Sequence, residues 1–89
     1  MSNLEELVVF YLELCQYEKK LSQDTLKAYR IDLRQFTCFC AGRDEGKDLI
    51  SSYVKYLNET FSPRSVKRKL ASVRAFYHTM EELEQIPQN

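Results

Sequence analysis

Apolar residues recur at intervals of three and four along almost the whole of this 89-residue chain, and only two glycines and two prolines interrupt them. That spacing is the helical period, and so few turn formers leave little room for the closely spaced turns of an all-β chain. Leu4, Leu7, Val8, Tyr11, Leu14 and Cys15 predict a first helix from about residue 3 to 18. Leu26, Tyr29, Leu33, Phe36 and Cys40 predict a second, with Ser22 as its cap, Asp24 in its first turn and Gly42 as its stop. Leu49, Ile50, Tyr53, Val54 and Leu57 predict a shorter third helix, capped by Asp48 and ending near Asn58. Ser62 followed by Pro63 opens a fourth, because proline at the first helical position gives up no hydrogen bond. Val66, Leu70, Val73, Tyr77 and Met80 are its expected buried stripe, running to about Glu84. Four helices joined by short loops predict an all-α bundle.

The composition narrows the function classes. Hydrophobic residues make up 44% and charged residues 29%, the balance of a soluble globular domain. No run approaches the ~20 apolar residues of a membrane span, and the opening MSNLEEL is acidic where a secretory signal is basic. A cytoplasmic chain is expected. Cys15, Cys38 and Cys40 are odd in number and follow no disulfide framework. Cys38 and Cys40, two residues apart on a helix, point to nearly opposite sides, so no shared metal site is expected there. There is no glycine-rich phosphate loop and only one histidine, so neither a cofactor nor an independent active site is expected.

The charges are unevenly placed although they sum to zero. The stretch SPRSVKRKLASVRAFY (Ser62 to Tyr77) holds five cations and no acid. With ~100° per residue and Val66 at zero, Arg74, Lys67, His78, Arg64 and Arg68 fall between about 80° and 200°. Ala71 and Ala75 lie in the same arc, whereas Lys69 sits near the core edge. Lys27, Arg30 and Arg34 repeat the pattern on the second helix at spacings of three and four. A run of this kind on one helix is ordinarily a solvated face. Two such strips, with acids placed elsewhere, instead suggest a field able to attract a polyanion. Ser22, Thr25, Ser62 and Ser65 add hydroxyls and free backbone N–H groups at both helix starts, suited to phosphate oxygens or simply to capping.

LSQDTLKAYRIDLRQFTCFC (Leu21 to Cys40) followed by FSPRSVKRKLASVRAFYHTM (Phe61 to Met80) resembles the N-terminal core-binding, SAM-like domain of tyrosine recombinases, the phage integrase and Xer-type family. The resemblance implies a four-helix SAM-like bundle over residues 1–86, with residues 87–89 beginning a linker to a catalytic domain that this chain does not include. It also implies that the second and fourth helices lie against duplex DNA at a recombination half-site. Thr25, Lys27, Arg30 and Arg34 would act from the second helix. Ser62, Arg64, Ser65, Lys67, Arg68, Lys69 and Arg74 would act from the fourth. Implied partners are double-stranded DNA, the protein's own catalytic domain and sister subunits of a synaptic tetramer, with the isolated domain monomeric. Family catalysis uses a tyrosine nucleophile on the catalytic domain, and no catalytic residue is expected here.

Two other readings compete on the residues alone. One is a helix-turn-helix regulator using residues 49 to 58 and 63 onward, although its recognition helix would be unusually long. The other is a helical protein-interaction module using Val9, Phe10 and Leu12, apolar residues off the main stripe of the first helix.

Overall fold

The computed structural model describes residues 4–41 and 47–83. Four helices occupy most of them: α1 Leu4–Tyr17, α2 Gln23–Cys40, α3 Lys47–Thr60 and α4 Pro63–Glu82. The all-α expectation is met, and the helix bounds differ from the sequence reading by a residue or two. Ser22 and Ser62 cap α2 and α4, each Oγ accepting from the backbone N–H three residues on, which satisfies one of the donors a helix start leaves open. Asp48 is not a cap. It lies in the first turn of α3, where its charge complements the helix dipole. The expected stop at Gly42 and the linker at 87–89 fall outside the described residues.

α2 and α4 each pack against all three other helices, whereas the backbones of α1 and α3 do not approach one another closely. The core therefore follows the α2–α4 axis. Tyr11, Leu33, Phe36, Tyr53, Leu57, Phe76 and Met80 are fully buried in it, and each such side chain contributes about 1.5–3 kcal/mol relative to exposure. Its rings meet edge to face: Tyr11 and Phe76 at 5.5 Å, Phe36 and Tyr53 at 5.0 Å between centroids, the arrangement aromatic quadrupoles favour.

The buried face of α4 differs from the expected stripe. Val66, Val73 and Met80 are buried, but so are Lys69, Ser72, Phe76 and Thr79. Leu70 and Tyr77 only flank the core as half-buried residues. The face is thus turned by about 60° around the helix, and Lys69 lies near its middle. A counting of apolar residues passes over this rotation, because polar side chains form part of the buried surface.

Between α1 and α2 the chain turns with Lys20 in the left-handed region, φ 53°, and the Leu21 N–H donates to the Cys15 carbonyl at 3.1 Å. A side chain with a Cβ is disfavoured there. Lys20→Gly should therefore raise stability by about 0.5–1 kcal/mol, the relief exceeding the extra entropy of glycine in the unfolded chain. Chemical denaturation checks this; a lower midpoint for the glycine variant would show that the lysine is unstrained.

Candidate nucleic-acid interface

With the buried face of α4 turned in this way, the opposite side of the helix carries Arg64, Lys67, Arg74 and His78, all exposed. Ala71 is exposed among them and Ala75 half-buried, so the surface between these cations is low. Among the described residues, Arg64, Lys67 and Arg74 have no ion-pair partner. His78 lies 3.5 Å from Glu82, one turn further on. Three unneutralised cations on one helix face create a local positive field in a molecule whose formal net charge is zero.

Arg68 and Lys69, next in sequence to this arc, do something else. Asp32 of α2 is wholly buried, and α4 surrounds its carboxylate. Arg68 donates from Nε to Oδ2 at 3.2 Å and from Nη2 to Oδ1 at 3.0 Å. Lys69 Nζ donates to Oδ1 at 3.2 Å, and Ser72 Oγ to Oδ2 at 3.0 Å. Each carboxylate oxygen thus accepts two hydrogen bonds, the satisfaction a buried charge requires. Lys69 is 5% exposed, and its ammonium also lies 4.7 Å from the centre of the Phe61 ring, a cation–π distance. Lys69 is accordingly removed from the set of phosphate-contacting candidates, because a neighbouring helix already holds its charge inside the fold. Arg68 differs from it in position, its side chain being 54% exposed.

On α2, Lys27, Arg30 and Arg34 are exposed. They are separated from Asp32 by about 140–160° of helix rotation, and so lie away from the seam with α4. Arg30 and Arg34 line a groove of about 350 Å³ with Glu5, Val8, Val9 and Leu12 of α1 and with Thr37 and Cys38 of α2. The structure does not bring the two basic strips together at the α2–α4 seam, which Arg68 and Asp32 occupy. Val9, Phe10 and Ile31 are exposed apolar residues. Cys38 is exposed and Cys40 buried, so the C-x-C pair does not share a face.

The hydroxyls at the helix starts are engaged locally. Ser22 Oγ donates to Thr25 Oγ1 at 3.0 Å, and Ser62 Oγ to Ser65 Oγ at 3.3 Å. Thr25 and Ser65 are half-buried, whereas Ser22 and Ser62 are exposed. Ser22 and Ser62 are thus the caps, and each also engages the hydroxyl three residues on.

Asp32 is the residue that reading the sequence missed. A signal was present: it lies about 60° from Tyr29 on α2, as Lys69 lies about 60° from Val66 on α4. Opposite charges, each on the apolar side of its own helix, mark a pair made across the core.

These elements define a class: an all-α, four-helix domain with a cation-rich face on its last helix, backed by an ion cluster inside the bundle. No helix among the described residues is long and apolar enough to cross a membrane. The phage integrase N-terminal SAM-like domain model matches residues 8–82, and the chain belongs to that family. It is similar to a tyrosine recombinase of Agathobacter rectalis, 38% identical over 97 aligned positions that span 100% of this chain and 30% of the relative. The tyrosine recombinase XerC of Staphylococcus saprophyticus is 36% identical over 83% of the chain and 27% of its own length. XerD of Pseudomonas aeruginosa is 36% identical over 86% of the chain and 28% of its length. The chain therefore spans about three-tenths of the curated relatives it matches. No solved structure gives a significant match.

Proposed function

We propose that this domain is the DNA-holding module of a site-specific tyrosine recombinase, gripping duplex DNA at a recombination half-site through α4 with support from α2. The observation that carries the reading is the face of α4 on which Arg64, Lys67 and Arg74 stand exposed and without an ion-pair partner among the described residues. Cations placed this way add counterion release to binding, the main sequence-independent source of affinity for duplex DNA. Arg68 borders the same face, and Lys27, Arg30 and Arg34 supply a second strip. Thr25, Ser62 and Ser65 contribute through the capped helix starts, whose outer N–H groups suit phosphate oxygens.

Strand cleavage, in this reading, belongs to a separate catalytic domain of the recombinase. It proceeds by transesterification, in which a tyrosine hydroxyl attacks the scissile phosphate, a tyrosyl phosphodiester forms and a deoxyribose hydroxyl of the cleaved strand leaves, the covalent route that the family resemblance implies. The exposed apolar residues of α1 are assigned to contacts with sister subunits in the synaptic assembly.

The domain should bind duplex DNA weakly and with strong salt dependence. If about four to six phosphates are neutralised, log K against log salt should have a slope of roughly −4 to −5. Arg64→Glu combined with Arg74→Glu should lower affinity at least tenfold with the helical fold intact, because neither side chain has a partner inside the bundle. Fluorescence anisotropy from low to moderate salt, with circular dichroism as the folding control, tests both statements. An unchanged affinity in the double variant would remove the α4 face from the proposal.

A further inference from the structure

The Asp32 cluster has a geometry beyond what cohesion between two helices needs. Lys69 alone would neutralise the carboxylate, and it does so from inside the bundle. Arg68 adds two hydrogen bonds from the rim, with about half of its side chain left open to solvent. A guanidinium carries five N–H donors in a rigid plane. Two face Asp32, and the remaining three are directed away from it. We propose that Asp32 is a positioning residue, which fixes the plane of Arg68 so that its outward donors meet a DNA phosphate as a preset fork.

Charge and geometry both support this assignment. One carboxylate shared by two cations leaves the cluster with a net positive charge, so orienting Arg68 does not cancel its attraction for a phosphate. Lys69 supplies the compensation from the buried side, where it touches no solvent-borne ligand. Ser72 holds Oδ2 on the side where Arg68 Nε also donates, which fixes the carboxylate plane and with it the plane of the guanidinium. An arginine held at two points loses little further freedom when it binds a second oxyanion, and that is the advantage of a fork organised in advance. Arg64, Lys67 and Arg74, with no partner among the described residues, have no such support.

The inference rests on the DNA-binding reading, and the test separates the two. Duplex affinity is measured for the unaltered chain, Arg68→Met, Arg68→Lys and Lys69→Met, each checked for folding by circular dichroism. Because lysine keeps the charge but lacks the fork, Arg68→Lys should lose at least fivefold in affinity and recover little of what Arg68→Met loses. Lys69→Met should reduce the magnitude of the salt slope by about 0.9, the value of one phosphate contact, although Lys69 itself is buried. In the folded chain without DNA, the Arg68 Nε–H should give an NMR signal with restricted motion. That signal should take on the fast motion of a free arginine in Asp32→Asn, or in Ser72→Ala if the former does not fold. If the unaltered chain binds no duplex DNA, the proposed function fails, and the phosphate role of Arg68 fails with it. If it binds and Arg68→Lys binds equally well, the DNA reading stands and the positioning role is overturned. A freely mobile Arg68 Nε–H in the unaltered chain overturns it whatever the affinities.

Discussion

Asp32→Ala is expected to destabilise the domain by about 3–5 kcal/mol, the cost of breaking a buried ion pair by removing one partner. The carboxylate is fully buried and accepts from Arg68, Lys69 and Ser72. Without it, the Lys69 ammonium keeps only the Phe61 ring as a neighbour of favourable charge, and it is too buried for water to compensate fully. Arg68 adds less to the loss, since its exposed side can turn to solvent. A chain of this size has a total stability of order 5–15 kcal/mol, so the variant would be marginal or unfolded at 37 °C. Replacing the buried pair together, as Asp32→Leu with Lys69→Met, should restore a large part of the loss, because apolar groups of similar volume need no desolvation. Urea denaturation of Asp32→Leu, Lys69→Met and the double variant measures the coupling. A loss below about 1 kcal/mol for Asp32→Ala would mean that water reaches the cluster.

Alkaline pH should weaken the fold almost as strongly. Tyr11 and Tyr53 are held above the ordinary tyrosine value of 10.0. Burial is the main cause in both, with the Cys15 thiol adding to it at Tyr11 and the Asp32 carboxylate at Tyr53. Burial likewise raises the Cys15 thiol above its ordinary 9.0. Each of these groups is neutral when protonated, so a raised value means that the folded chain keeps a proton the unfolded chain releases. Their stabilisation is complete below about pH 9 and is lost as pH rises through 9–10 and beyond. Each tyrosine costs up to about 1.4 kcal/mol per pH unit once pH passes 10, so the two together cost on the order of 2 kcal/mol between pH 10 and 11, and Cys15 adds to the loss in the same direction. Thermal unfolding from pH 8 to 11 should show a steep fall beginning near pH 9.5. Tyr53→Phe should make the fall shallower at little cost in stability near neutral pH, since the Tyr53 hydroxyl is buried without a hydrogen-bond partner. A melting temperature that stays level across this range would show that the tyrosine hydroxyls reach solvent.

The groups behind these two predictions were not equally legible along the chain. Tyr11 and Tyr53 were legible as core residues because each stands in a stripe at helical spacing, and burial then decides the direction of their proton equilibria. Asp32 was only partly legible: it lies on the apolar side of α2 beside Tyr29, Leu33 and Phe36, yet an acid on a helix is ordinarily solvent-facing. Only when α4 presents Lys69 and Ser72 to it does burial become tolerable. The same contact explains why Lys69, grouped with the surface cations by its neighbours in sequence, lies in the core, and why Phe76 is buried while Leu70 and Tyr77 sit at the edge.

The sequence by itself determined the four helices, their caps at Ser22 and Ser62, the family resemblance and the exposed position of Arg64, Lys67 and Arg74. Each is a local matter, set by 3.6-residue periodicity, by side chains that satisfy open backbone donors, or by the order of residues along one helix. The tertiary structure alone decided how far α4 is rotated about its axis, and therefore which of its cations are surface and which are core. That rotation depends on the position of one carboxylate, 36 residues from Arg68 in the chain and 3.0 Å from it in the fold. Bringing a charge into the core requires partners from another helix, and one helix's own periodicity carries no record of what its neighbour supplies.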